Sequence, residues 1–257
     1  MRMFRSQQIL KKLALVMAAL FFSGLLYAQD MALIDPGKFP IKPGSKFTGL
    51  KKYYIDKTEV STQDYFDFIK KTSYKSYRGF RGPGKKNLRK AITRIHWFDA
   101  AKYCNWKEKR LPTELEWELA AKGLDRLYPW GSAAVTGKHA NYCDLNCNSG
   151  WSDFEEDDHF KLIAPVGYYP LGNTPEGVSD MAGNLWEMTS TIYDTGKTKV
   201  FKTDREYSQE DWNHLIVIRG GSYGSRASQI TTDSRQKNHV TFRSSHVGFR
   251  CVAEVKD

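Results

Sequence analysis

The chain offers little to a lipid bilayer. Its one long apolar run, LALVMAALFFSGLLYA at residues 13–28, stops at sixteen residues. A membrane-spanning helix needs about 20. Arg2, Arg5, Lys11 and Lys12 precede the run, and no acid occurs before Asp30. A charged start, an apolar middle and a small-residue exit predict a secretory signal peptide over residues 1–28. Leu26 is larger than ideal three positions before the cut, so an uncleaved anchor is the alternative. No cysteine follows the run, which argues against a bacterial lipid anchor, and no transmembrane segment is expected after cleavage.

A strong charge of one sign is also lacking. Lys and Arg number 39 against 29 Asp and Glu, and the net of +10 falls to +6 without the leader's four bases. That excludes the field of a dedicated nucleic-acid binder. One segment departs from this balance. RGFRGPGKKNLRKAITR, residues 78–94, holds seven bases and no acid. It reads as a solvated loop or as a landing patch for an acidic partner or an anionic cell-surface polymer.

Cysteine is scarce: Cys104, Cys143, Cys147 and Cys251. An even count in an exported chain suggests two disulfides. Cys143 and Cys147 can close a small loop together or pair far away. In the first case Cys104 and Cys251 are left to join the middle of the chain to its end. A metal site at C-x-x-x-C is the competing reading, with no histidine cluster beside it. The six histidines, His96, His139, His159, His214, His239 and His246, form no H-x-H or H-x-x-x-H pair and read as surface or loop residues.

Aromatics are plentiful at 14% and supply large, rigid core material. Short strands are expected in KFPIKPGSKF and KKYYIDKTEVS. STQDYFDFIKK predicts a helix capped by Ser61, with Tyr65, Phe68 and Ile69 at helical spacing. HWFDAAKYCNWK predicts a second, with Trp97, Ala101 and Cys104 on one face and Asp99 in its first turn. Thr113 and Glu116 form a T-x-x-E capping box before TELEWELAAK, which Gly123 ends. Beyond residue 131 helical signals fade, and IVIRGGSY and HVGFRCVAEV read as late strands. No βαβ alternation and no internal repeat is found. One α+β domain over residues 29–257, low in regular secondary structure, fits this pattern. Its long loops need fixing by metal ions or disulfides.

Seven motifs then line up in order: YYIDKTEVS, HWFDAAKYCNW, RLPTELEWELAAKG, YPWG, GVSDMAGNLWEMTS, RGGSY and GFRC. Together they resemble the formylglycine-generating enzyme family, the sulfatase-modifying factors. The resemblance implies a fold related to the C-type lectin fold. It implies one calcium ion on the side chains of Asp180 and Glu187 and the carbonyls of Gly183 and Leu185. Hard, oxygen-rich coordination of this kind suits calcium, and Gly183 permits a turn that Cβ would hinder. A plain loop whose acids accept backbone N–H groups is the alternative. A second calcium is implied on Asn141 and Asp158 with the carbonyls of Tyr142 and Phe160, beside the acid-rich EEDD. The family also pairs the cysteines found here as Cys104 and Cys251.

The departure lies after GGSY. Family enzymes oxidise a sulfatase cysteine with O₂ and copper held by two cysteines, and thiolates suit soft Cu(I). Those positions fall on Ser225 and Ile230, so no copper is expected. Ser225 as a nucleophile would need a base and an orienting acid; nothing in the sequence brings Asp233 and His239 to it. Two functions follow. The first is a catalytically silent, exported binding or scaffold protein of the bacterial envelope, of the secretion or gliding type. Ser222, Tyr223, Ser225 and Arg226, bordered by Trp186, would form its recognition groove for a protein or cell-surface polymer. The second is a periplasmic oxidoreductase or modifying enzyme that uses other groups.

Overall fold

The computed structural model describes residues 30–76, 88–194, 199–201 and 207–256. The leader and most of the basic stretch, residues 78–87, lie outside the described residues.

Two small sheets carry the architecture. β1 (Met31–Ile34), β2 (Tyr53–Asp56) and β8 (Val252–Glu254) form an antiparallel sheet with β2 in the middle. The second sheet runs β4 (Lys199–Val200), β3 (Trp186–Ile192), β5 (Leu215–Arg219), β6 (Arg235–His239), with β7 (Val247–Gly248) joining β3 in parallel. Mixed short strands and few helices make this an α+β fold.

The three α-helices of the described residues sit where the periodicity places them. α1 (Thr62–Thr72) starts at Ser61, whose hydroxyl accepts the Asp64 N–H. α2 (Trp97–Trp106) buries Trp97, Ala101 and Cys104. α3 (Glu114–Lys122) has the Thr113–Glu116 capping box and ends at Gly123, φ +58°. α1 and α2 share a core with Tyr65, Trp97, Ile216 and Phe249. α3 packs Trp117, Leu119 and Ala120 against Ile34, Ile55 and Val252 of the first sheet.

Several elements differ from expectation. KFPIKPGSKF is turns rather than strand. The first strand lies earlier, at MALI, and a 3₁₀ turn at Pro36–Lys38 follows it. Prolines at 36, 40 and 43 remove the N–H donors that a ladder needs. HVGFRCVAEV breaks into β7 and β8, because Arg250 and Cys251 are committed to side-chain bonds between them. β3, the longest strand, was not legible. Five of its residues in a row are buried, so it lacks the in–out alternation that marks a strand.

Both disulfides form. Cys104 joins Cys251 across 147 positions, tying α2 to the segment before β8, and Cys143 closes a small ring with Cys147.

Candidate functional site

Three loops converge, joined by backbone bonds from the Gly183 N–H to the Gly220 carbonyl, the Tyr223 N–H to the Asn184 carbonyl and the Cys143 N–H to the Ser225 carbonyl. The first contains GVSDMAGNLWEMTS. Asp180 and Asn184 adopt left-handed backbone, as does Gly183 at φ +80°. At Gly183 a Cβ would sit 2.2 Å from the Asn141 carbonyl oxygen. Glycine is therefore required both for its dihedral and for the close approach of a second loop.

Glu187 is fully buried and wholly engaged. Arg250 grips it with two bonds of 2.7 Å, and the Trp117 indole N–H donates to it at 2.9 Å. A bidentate, desolvated pair of this kind is among the strongest protein hydrogen-bonding arrangements. Arg250 also donates to the carbonyls of Asp56 and Ser179. One guanidinium thus fastens the end of β2 to the start of β3. Asp180 accepts the Gly167 N–H at 2.6 Å. Glu59, 1% exposed, accepts from the Asn184 amide through Oε2, while its Oε1 has no hydrogen-bond partner. Burial pushes the Glu59 and Asp180 carboxyls above the usual range.

The second loop carries Asn141, Tyr142, Asp158 and Phe160. It docks on the first: Asn184 N–H donates to the Asn141 carbonyl, and the Asn141 amide donates to the Asn184 side chain. Asn141 is fully buried, yet its Oδ1 has no hydrogen-bond partner. Asp158 is also fully buried. Its oxygens accept the Tyr142 and Phe160 N–H groups, and no described basic side chain pairs with it. Burial, the largest cause, pushes its carboxyl up to about 7. The Tyr142 carbonyl already takes the Asp144 N–H.

The two loops therefore suit a cation unequally. The Asn141–Asp158 loop offers an orphaned amide oxygen and an acid with no protein cation, which fits a hard ion. In the Asp180–Glu187 loop the cation is already Arg250. The Glu187 carboxylate is saturated, leaving Asp180 and the carbonyls of Gly183 and Leu185. The described residues hold no cluster of three or more His, Cys, Asp or Glu able to bind a metal. Any ion here would rely on amide and carbonyl oxygens beside fewer than three carboxylates.

The third loop is GGSY and its sequel. Ser225 is 8% exposed and its hydroxyl accepts the Ser222 N–H at 3.0 Å. Ile230 is fully buried, against Gly221. Asp233 pairs with Lys122 and His239 bonds to Thr241, so neither serves Ser225. Ser222 and Tyr223 are enclosed, at 3% and 7% exposure, rather than lining an open groove. Arg226 is exposed and lies over Trp151, whose indole N–H reaches the Gly224 carbonyl. Trp186 borders the loop through its backbone, bonding the His246 carbonyl.

His246 is the residue that sequence reasoning missed. Its ring stacks on Tyr223 with centroids 4.4 Å apart, Nδ1 lies 3.4 Å from the Ser222 hydroxyl, and Nε2 lies 3.3 Å from the Tyr223 hydroxyl. Burial lowers its pKa, favouring the neutral ring. No spacing rule links residues 24 positions apart. The parallel pairing of β7 with β3 brings them together. His96 likewise is buried, at the start of α2.

Comparison with known proteins decides the family. Residues 23–255 match the sulfatase-modifying factor enzyme 1-like domain. The chain belongs to this family. The match begins inside the segment read as a leader. Among curated sulfatase-modifying-factor relatives, inactive Cα-formylglycine-generating enzyme 2 of Mus musculus is 30% identical over 67% of this chain and 53% of its own length. The formylglycine-generating enzyme of Mus musculus is 30% identical over 70% of this chain and 49% of its own length. The hercynine oxygenase of Mycolicibacterium thermoresistibile is 32% identical over 64% and 36%. The chain spans about half the length of the first of these relatives, or less. In fold it is similar to PvdO from Pseudomonas aeruginosa, with a TM-score of 0.62 at 19% identity over 88% of this chain and 92% of that one. It also resembles variable protein 1 of Treponema denticola, at 0.59, 19%, 87% and 94%.

Proposed function

We propose that this sulfatase-modifying-factor domain binds rather than oxidises. It is read as an exported recognition or scaffold component of a bacterial envelope, of the secretion or gliding type, with a protein or cell-surface polymer as partner. The observation that carries this is the state of the two copper-ligand positions. Ile230 is sealed in the core, the Ser225 hydroxyl is turned inward, and all four cysteines are bridged. No thiolate is left for soft Cu(I). The similarity to a relative named as inactive points the same way. Export is supported by the leader pattern and by two disulfides, which persist in oxidising compartments. No described helix is long and apolar enough to cross a membrane. Calcium is read as structural, best supported at Asn141 and Asp158.

The test is to titrate the purified protein with Cu(I) and offer a sulfatase-derived peptide. We expect neither stoichiometric copper nor aldehyde. Either result would overturn the reading. Pull-down from a native envelope fraction should return a specific partner.

The Ser222–His246–Tyr223 cluster favours a second reading, an oxidoreductase or modifying enzyme of the periplasm. A neutral imidazole between two hydroxyls can move a proton, and hercynine oxygenase is among the relatives. Turnover of an envelope extract that His246→Gln abolishes would favour this reading over the first.

A further inference from the structure

A cleft of about 530 Å³ opens beside the third loop, lined by Arg94, Phe242, Arg243, Ser244 and Ser245. Arg94 has left-handed backbone, and its N–H donates to the Ser244 carbonyl at 3.0 Å. Arg243 Nε donates to the Arg94 carbonyl at 2.6 Å. The second bond ties the Arg243 side chain to the Arg94 main chain, both arginines line the cleft, and neither guanidinium forms a salt bridge with a carboxylate among the described residues. Two arginines lining one cleft without an ion-paired carboxylate suit a bound oxyanion.

The remaining groups point to the same ligand. Ser244 accepts the His246 N–H and Ser245 accepts the Tyr223 hydroxyl, which leaves both serine hydrogens free to donate. The side chains of the cleft are thus donors with no carboxylate or amide acceptor among them, a set suited to an oxyanion rather than to a peptide's mixed donors and acceptors. Phe242 is 57% exposed at the edge, an apolar plate for the C–H face of a sugar. The basic stretch of residues 78–94 ends in this cleft at Arg94.

We propose that this cleft binds an acidic polysaccharide. The two guanidiniums hold one carboxylate or sulfate group, and Phe242 lies against the ring that bears it. The proposal rests on the binding-protein reading and names its partner's chemistry.

The test is titration calorimetry of the protein with heparin and polygalacturonate oligosaccharides at two salt concentrations, the two probes separating sulfate from carboxylate. Arg94→Gln alone makes a variant with no side-chain bond to lose. It should weaken binding several-fold, and Arg94→Gln with Arg243→Gln at least tenfold, with a shallower salt dependence. Lys38→Gln with Lys51→Gln removes the same charge elsewhere and should change affinity less than twofold. Phe242→Ala should weaken oligosaccharide binding several-fold and leave inorganic sulfate binding unchanged. Three results would overturn the proposal: no binding of either oligosaccharide, losses no larger than the lysine control, or equal affinity for polyglutamate that is insensitive to Phe242→Ala. The copper and peptide assay is independent of these, so the two readings fail separately.

Discussion

The Asp180–Glu187 loop and the Asn141–Asp158 loop touch each other, yet they solve the burial of acid differently. The first keeps its counter-charge in the chain, since Arg250 is as buried as the Glu187 it grips. The second has a buried acid with no protein cation and a buried amide oxygen with no donor. Buried charge must be paired or neutralised. Glu187 is therefore paired within the chain, whereas Asp158, like the neighbouring Glu59 and Asp180 with their raised carboxyls, has no guanidinium gripping it and is neutralised by an ion or a proton. Similar-looking motifs in sequence need not have similar needs in the fold.

The sharpest way to break this comparison is through the crosslinks. The Cys104–Cys251 bond adjoins Arg250, whereas the Cys143–Cys147 ring lies in the second loop. Replacing the first pair by serines should cost about 5 kcal/mol in the chain-entropy model, against about 2 kcal/mol for the short ring. Urea denaturation of the two variants measures the gap; equal losses would contradict it. Next, Arg250→Leu strands Glu187 without its cation and should cost about 3–5 kcal/mol. A midpoint shift equivalent to less than about 1 kcal/mol would show that the first loop draws its counter-charge from elsewhere.

Chelation addresses the second loop. Removing calcium present at a hundredfold excess over its Kd should cost about 2.7 kcal/mol, read as a lower melting temperature. Asp158→Asn should erase that response and Asp180→Asn should preserve it; the reverse pattern would exchange the roles of the loops. The smallest effect lies outside both. His246 is held below its ordinary pKa by burial, so the unfolded chain binds the proton more readily. The His246 contribution to stability should fall as pH drops below about 6.5, opposing the buried carboxyls of Asp158, Asp180 and Glu59, which take up protons more readily in the folded chain. His246→Asn should remove that opposing contribution from the profile, and an unchanged slope would mean that the ring is not buried as described.

Much of the fold was legible because its signals are local. Ser61, Thr113, Glu116 and Gly123 announce helix ends within a few residues, and all act as expected. The cysteine spacing left the pairing open, and the family resemblance implied the Cys104–Cys251 bridge that forms. The site was legible only in part. Asp180 and Glu187 stand out as acids in a glycine turn, but nothing nearby in sequence reveals that Arg250 will occupy Glu187. The same holds for His246 with Ser222, and for Arg94 with Arg243. Each pair is separated by 24 to 149 positions, and only long-range contacts between strands and loops unite it. Ser225 and Tyr223 read as groove residues because the resemblance places them at the family's active site after GGSY. Their hydroxyls are instead satisfied inside.

The position of Arg250 and Cys251 in the chain has a consequence for biogenesis. Both follow nearly every residue they secure, so a nascent chain emerging N-terminus first carries unbalanced acids and an open thiol until its last strand arrives. A polypeptide truncated before residue 250 contains the segments of the three described helices but neither clamp. The fold thereby discriminates against incomplete translation products, leaving them open to proteolysis.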